Sequence, residues 1–155
     1  MTTVYHITSV ESAIEIINSK QFIPSEPHDI TNLDYGLNCF ILGGAYTKAN
    51  VFKGEGAKII LEWWGNMVNL PLSASQLQSS VLIDQAPWRA IIRPPISLND
   101  LEIRRVEFDD ELLDKYLKEK KLLYKFLCKK CKEKYRKNFN KKINSKLRNF
   151  YINIR

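Results

Sequence analysis

Chemistry in this chain has few places to reside. Its two histidines are His6 and His28, and His6 sits in Val4-Tyr5-His6-Ile7-Thr8, a short alternating strand that leads straight into a helical pattern. An imidazole so placed can either be satisfied within a core or offer a nitrogen to a ligand hydroxyl. The three cysteines, Cys39, Cys128 and Cys131, include one C-x-x-C. That pair lies in a lysine-rich helical stretch with no second pair and no nearby histidine, which argues against a four-ligand zinc site; thioredoxin-type motifs, in turn, follow a strand. No Gly-rich phosphate loop, nucleophile elbow, H-E-x-x-H helix or metal-spaced cluster is present, so no metal ligands are assigned and ordinary hydrolase readings start low.

The elements that must position His6 are legible in part. Residues 3 to 8 alternate as a strand, and Ser9 or Ser12 caps a helix through Ala13, Ile14, Ile16 and Ile17 to about Lys20. Pro24, Pro27 and the polar run to Asp34 read as a loop. Leu37 to Leu42 reads as a strand between Gly36 and Gly43-Gly44, followed by a short helix near residues 45 to 52. Ala57 to Trp64 is the clearest strand, Val81 to Ile83 and Trp88 to Ile92 are two more, and Leu101 to Val106 is the last. The fold class is α+β, with mostly antiparallel short strands and one or two helices.

From Asp109 onward there is neither proline nor glycine. Apolar residues recur at Leu113, Tyr116, Leu117, Leu123, Phe126, Leu127, Phe139, Ile143, Leu147 and Phe150, a stripe expected to dock a helix or helix pair onto the domain. Charge divides at the same place. Residues 1 to 113 carry eight basic and fourteen acidic groups, whereas 114 to 155 carry sixteen basic and three acidic. So cationic a segment suits nucleic acid, an acidic protein face or an anionic membrane surface, or else lies on the acidic part of its own chain or of a second copy. Two units are expected, a domain over 1–110 and a lysine-rich helical tail over 111–155. With an odd cysteine count, no cleavable signal and no long apolar span, a reducing cytosolic compartment is the expectation.

The order of parts carries one further reading. Tyr5-His6-Ile7-Thr8, then Gly36-Leu37-Asn38-Cys39-Phe40, then Tyr46-Thr47-Lys48-Ala49-Asn50 and the strand Lys58 to Trp63 resemble the NAD-binding half of the diphtheria-toxin-like ADP-ribosyltransferases. That class includes poly(ADP-ribose) polymerases and DNA-targeting bacterial toxins. The resemblance covers roughly residues 4 to 108 and implies NAD as substrate and a macromolecular acceptor, nucleic acid or acidic protein, for a toxin or effector. It implies that His6 and Thr8 belong to the motif that grips NAD, with His6 bonding a ribose hydroxyl and the Ile7 backbone pairing with the carboxamide. Phe40, with Tyr46 as second candidate, would supply the ring on which nicotinamide stacks. The class places a glutamate at the start of a late strand; here that stretch has none, and Asp84 and Gln85 are the nearest polar candidates for catalysis. The alternative is a non-catalytic binding module that works through its basic tail.

Overall fold

The computed structural model describes residues 1–23, 36–41, 54–65, 89–92 and 96–154. In chain order these form β1 (Thr2–Thr8), α1 (Val10–Ser19), β2 (Gln21–Phe22), β3 (Leu37–Ile41), β4 (Ala57–Trp63), β5 (Arg89–Ile92), β6 (Leu101–Phe108), α2 (Asp110–Lys120), a 3-10 turn (Leu122–Phe126), α3 (Lys129–Ser145), β7 (Phe150–Tyr151) and β8 (Asn153–Ile154). The class is α+β, as the periodicities predict. Six strands make one sheet in the order β5-β3-β1-β4-β6-β7, every neighbouring pair antiparallel. Strands β2 and β8 form a separate parallel pair.

Strand β1 is central, and its alternation divides the sheet into two unlike faces. Val4, His6 and Thr8 lie opposite Leu61, Ile59 and Ala57 of β4. This is the face that α1 and α2 cover, burying Val10, Ala13, Ile16 and Ile17 of one helix and Leu113 and Leu117 of the other. On the second face, Tyr5 stacks on Phe40 with ring centroids 5.3 Å apart. Charged side chains lie beside them: Lys58 and Arg105 both pair with Glu107, and Arg104 bridges Glu62 and the buried Glu102, which sit directly across from each other on β4 and β6. Two carboxylates so placed repel unless a cation lies between them, and Arg104 provides it.

Local signals set the turns. Ser9 caps α1 by accepting from the Ser12 N–H, and Asp109 caps α2 by accepting from Glu111 and Leu112, each satisfying amides that a helix start leaves free. Gly56 precedes β4 with φ 129°, where a Cβ would come within 2.7 Å of the Val10 nitrogen and 2.9 Å of the Thr8 oxygen. Only glycine allows β4 to begin that close to the β1–α1 elbow.

The basic segment departs from a simple helical tail. Its first helix stops at Lys120 although neither glycine nor proline intervenes. Tyr124 turns inward, 1% exposed, and its hydroxyl donates to Asp114 at 2.7 Å. Seating that ring winds residues 122–126 into a 3-10 turn, and Leu123 and Phe126 consequently leave the expected stripe, each 81% exposed. After α3, Asn149 adopts φ 54°, and the chain returns as strands. Phe150 pairs with Ile103 at the edge of the main sheet, and Ile154 pairs with Phe22. The lysine-rich segment is therefore woven into both sheets.

Candidate functional site

His6 occupies the helix-covered face. Its Nδ1 lies 2.6 Å from the backbone oxygen of Asn38 on the neighbouring strand. A carbonyl only accepts, so Nδ1 carries the proton and donates, which makes Nε2 the acceptor of the ring. Burial pushes the imidazole below its ordinary value, and the bond to Asn38 opposes that only in part. The histidine is thus held neutral, in one tautomer, with its plane fixed from behind. Phe22 meets it edge-on, ring centroids 5.2 Å apart.

In front of His6 lies a hollow of about 360 Å³. Thr8 forms its floor with His6; Ser12, Glu15, Ile16 and Ser19 of α1 form one wall, and Gln21, Phe22 and Ile23 the other. The size falls at the lower end of small-ligand sites. Its wall combines hydroxyls, one carboxylate and one aromatic ring. The helix supplies polar groups here because residues 12, 15 and 19 recur at helical spacing on a single stripe, beside the stripe that carries Ala13, Ile16 and Ile17 into the core. Phe22 owes its position to the far end of the chain, since β8 pairs with β2 and the Asn153 amide donates to the Lys20 oxygen at 3.0 Å.

The residues singled out by sequence divide between the two faces. His6 and Thr8 line the hollow. Phe40 does not: strand pairing sets it against Tyr5, one residue from His6 and so on the opposite face. A single cleft with His6 on one side and the Phe40 ring on the other, as expected from the sequence, is not what the pairing of β1 with β3 builds. The Ile7 side chain also points away from the hollow, while its backbone lies between the two faces. Tyr46, Asp84 and Gln85 fall outside the described residues, as do His28, Asn50 and Trp88. The sequence reading missed Ser12, Glu15, Ser19 and Phe22. The first three were findable as a polar stripe on α1. Phe22 was not, because what places it is a parallel pairing with residues more than a hundred positions later.

A second feature of the site's surroundings is electrostatic. Helix α3 carries eight basic residues and one acid, Glu133, and buries none of its side chains fully. Lys137 takes up Glu133, and Arg136 turns inward to Asp114 at 2.9 Å. Lys129, Lys130, Lys134, Lys141 and Lys142 are exposed and form no ion pair among the described residues.

No group of histidine, cysteine and acidic side chains able to hold a metal occurs among the described residues, and no described helix is long and apolar enough to cross a membrane. No family model matches the chain, and neither the curated proteins nor the solved structures contain a match to it.

Proposed function

We propose that the chain is a mono-ADP-ribosyltransferase-like protein, a toxin or effector, that takes NAD on the His6 face and passes ADP-ribose to an anionic macromolecule held by α3. The single observation that carries this reading is the placement of His6, its Nδ1 held by the Asn38 oxygen and its ring lining a hollow with Phe22, Thr8, Ser12 and Glu15. A nucleoside presents a flat base and vicinal hydroxyls. Phe22 offers the base a wall, Nε2 accepts from a ribose hydroxyl, and the remainder would lie along Ser12, whose hydroxyl accepts from Ser9 and keeps its own proton to give, with Ser19 held on the Gln21 backbone. A space of about 360 Å³ suits one nucleoside half of NAD, so the other half lies beyond these walls, towards the Ile7 backbone.

In the transfer, the bond between ribose and nicotinamide breaks with the electron pair leaving on nicotinamide, and an acceptor nucleophile closes on the same carbon after giving up its proton. The ribose passes through an oxocarbenium-like state, which a nearby carboxylate stabilises. Glu15 is the carboxylate that the described residues bring to the hollow; Asp84 and Gln85 remain the candidates on the late-strand approach.

The test is incubation of the full chain with labelled NAD plus either nucleic acid or acidic protein, reading nicotinamide release and label transfer, beside NAD titration by calorimetry. His6→Ala should weaken NAD binding about three- to tenfold, the worth of one hydrogen bond, and lower transfer with it. Absence of both NAD binding and label transfer in the unaltered chain would overturn the proposal.

A second reading, a non-catalytic module, rests on the five lysines of α3 that form no ion pair among the described residues. In it the helix engages nucleic acid, an acidic protein or an anionic membrane with an affinity that falls as salt rises, and no NAD is turned over. Because the chain end supports Phe22, charge reversal at Lys130, Lys134 and Lys141 separates the two readings better than truncation does. Loss of polyanion binding in a protein that never bound NAD would favour the module.

A further inference from the structure

Cys128 and Cys131 are not in the body of a helix, as their setting among lysines suggests, but at the start of one. The break at Tyr124 makes Cys128 the N-cap of α3, and its sulfur accepts the Cys131 N–H at 3.3 Å. The two sulfurs lie 2.8 Å apart and share a thiol proton, and both residues are exposed. Positive charge converges on this end: the helix start presents unsatisfied amides, Lys129, Lys130 and Lys132 flank the pair, and no acid occupies the first turn. A low-pKa, accessible thiolate beside a second thiol is the arrangement that thiol–disulfide exchange requires.

We propose that Cys128 and Cys131 form a reversible dithiol–disulfide site, in which Cys128 attacks small-molecule disulfides of the glutathione class and Cys131 resolves the product. In the first step the Cys128 thiolate attacks one sulfur of the oxidised small molecule. A mixed disulfide forms, and the other half leaves as a thiolate that takes up a proton. Cys131 then loses its proton and attacks the Cys128 sulfur. The Cys128–Cys131 bond forms and the second small thiol departs, so that two protein thiols are oxidised while one disulfide is reduced to two thiols. The roles follow from the surroundings. The Cys131 thiol and backbone amide both bond to Cys128 and hold its pKa below the ordinary cysteine value, whereas the Cys131 thiol is raised by the same contact. Cys39 does not compete, because burial raises its thiol far above neutral pH and leaves it 1% exposed.

Equilibration of the full chain in mixtures of oxidised and reduced glutathione, followed by acid quench and intact mass with peptide mapping, tests this. The expected result is loss of two hydrogens, mapped to Cys128 and Cys131 and reversed by excess reduced glutathione. Cys131→Ser should trap one glutathione on Cys128, because nothing resolves it. Cys128→Ser should react about tenfold more slowly with a small disulfide near neutral pH, because the backbone N–H that stabilises a thiolate at this helix start is directed at position 128 and not at Cys131. Three results would overturn the proposal: no intramolecular disulfide at any glutathione ratio, equal reactivity of the two single variants, or stoichiometric zinc binding by two chains that protects both cysteines.

Discussion

Helix α1 meets the sheet through Val10, Ala13, Ile16 and Ile17, all buried, whereas α3 buries no side chain fully, packs Phe139 and Ile143 only partly against the core, and adds directed polar contacts. Strand β7 pairs with β6 only at Glu102 and Ile103, so the outer edge of β6 beyond that point has peptide groups to satisfy. The Asn144 side chain does this, its oxygen accepting the Val106 N–H at 2.8 Å and its amide donating to the Val106 oxygen at 2.9 Å. One side-chain amide takes the place of a neighbouring strand. The contrast explains how a helix with eight basic residues can be held: apolar burial would have to cover lysines, while an amide and the Asp114–Arg136–Tyr124 cluster leave them in water.

The largest effect that could break the comparison is on the apolar side. Ile17→Ala is expected to destabilise the fold by about 3 kcal/mol, since it opens a cavity where nothing can relax into it. Phe139→Ala on α3 is expected to remove only about 1–2 kcal/mol, because that ring is half-buried and tilted on Phe108 at 6.1 Å. Urea unfolding measures both, and equal losses would mean that α3 is held by burial after all. The polar grip comes next. Asn144→Ala strands the Val106 N–H and oxygen and should cost about 1–3 kcal/mol, with faster hydrogen exchange at Val106 while the α1 amides stay protected. Asn144→Asp, which turns an oxygen towards the Val106 and Asn140 oxygens that the amide now donates to, should cost at least as much as the alanine.

What the sequence revealed follows the same division. The α1 stripe, the cap at Ser9, and strands β1, β3, β4, β5 and β6 were legible because each is fixed by neighbours a few residues away. Docking of the basic segment was also foreseeable, from Leu113, Leu117, Phe139 and Ile143. The break at Tyr124 was not, because it depends on an inward ring meeting Asp114 ten residues earlier, with no punctuating residue. The return of Phe150–Ile154 as strands was hidden too, since Leu147 and Phe150 continue the helical spacing. At the site, alternation alone separates neighbours on one strand, but which face Phe40 takes relative to His6 depends on the register of β3 against β1. A one-residue slip would have put the two rings together.

Acid offers the sharpest probe of the two regions, because their titrating groups move in the same direction in different windows. Burial of Asp114 alone would raise its carboxyl, but hydrogen bonds from Lys118 and Tyr124 and the charges of Lys118 and Arg136 outweigh it and hold the group below the usual carboxylate value. Its contribution is therefore complete above about pH 4 and lost as pH falls through the lowered value. His6 is also lowered, by burial, so the folded form prefers it neutral. That contribution is complete above the ordinary histidine value of about 6.5 and declines as pH falls below it, since the unfolded chain takes up the proton first. As pH falls below about 6.5, amide exchange should quicken around β1, Asn38 and Phe22 while the α2–α3 junction holds; only below about pH 4 should that junction loosen. In the proposed NAD site the same protonation converts Nε2 from acceptor to donor, so affinity should decline over the upper window. His6→Gln keeps a donor and an acceptor without titrating, and it should flatten both trends. An affinity that falls with acid equally in His6→Gln would assign the titration to a group other than His6.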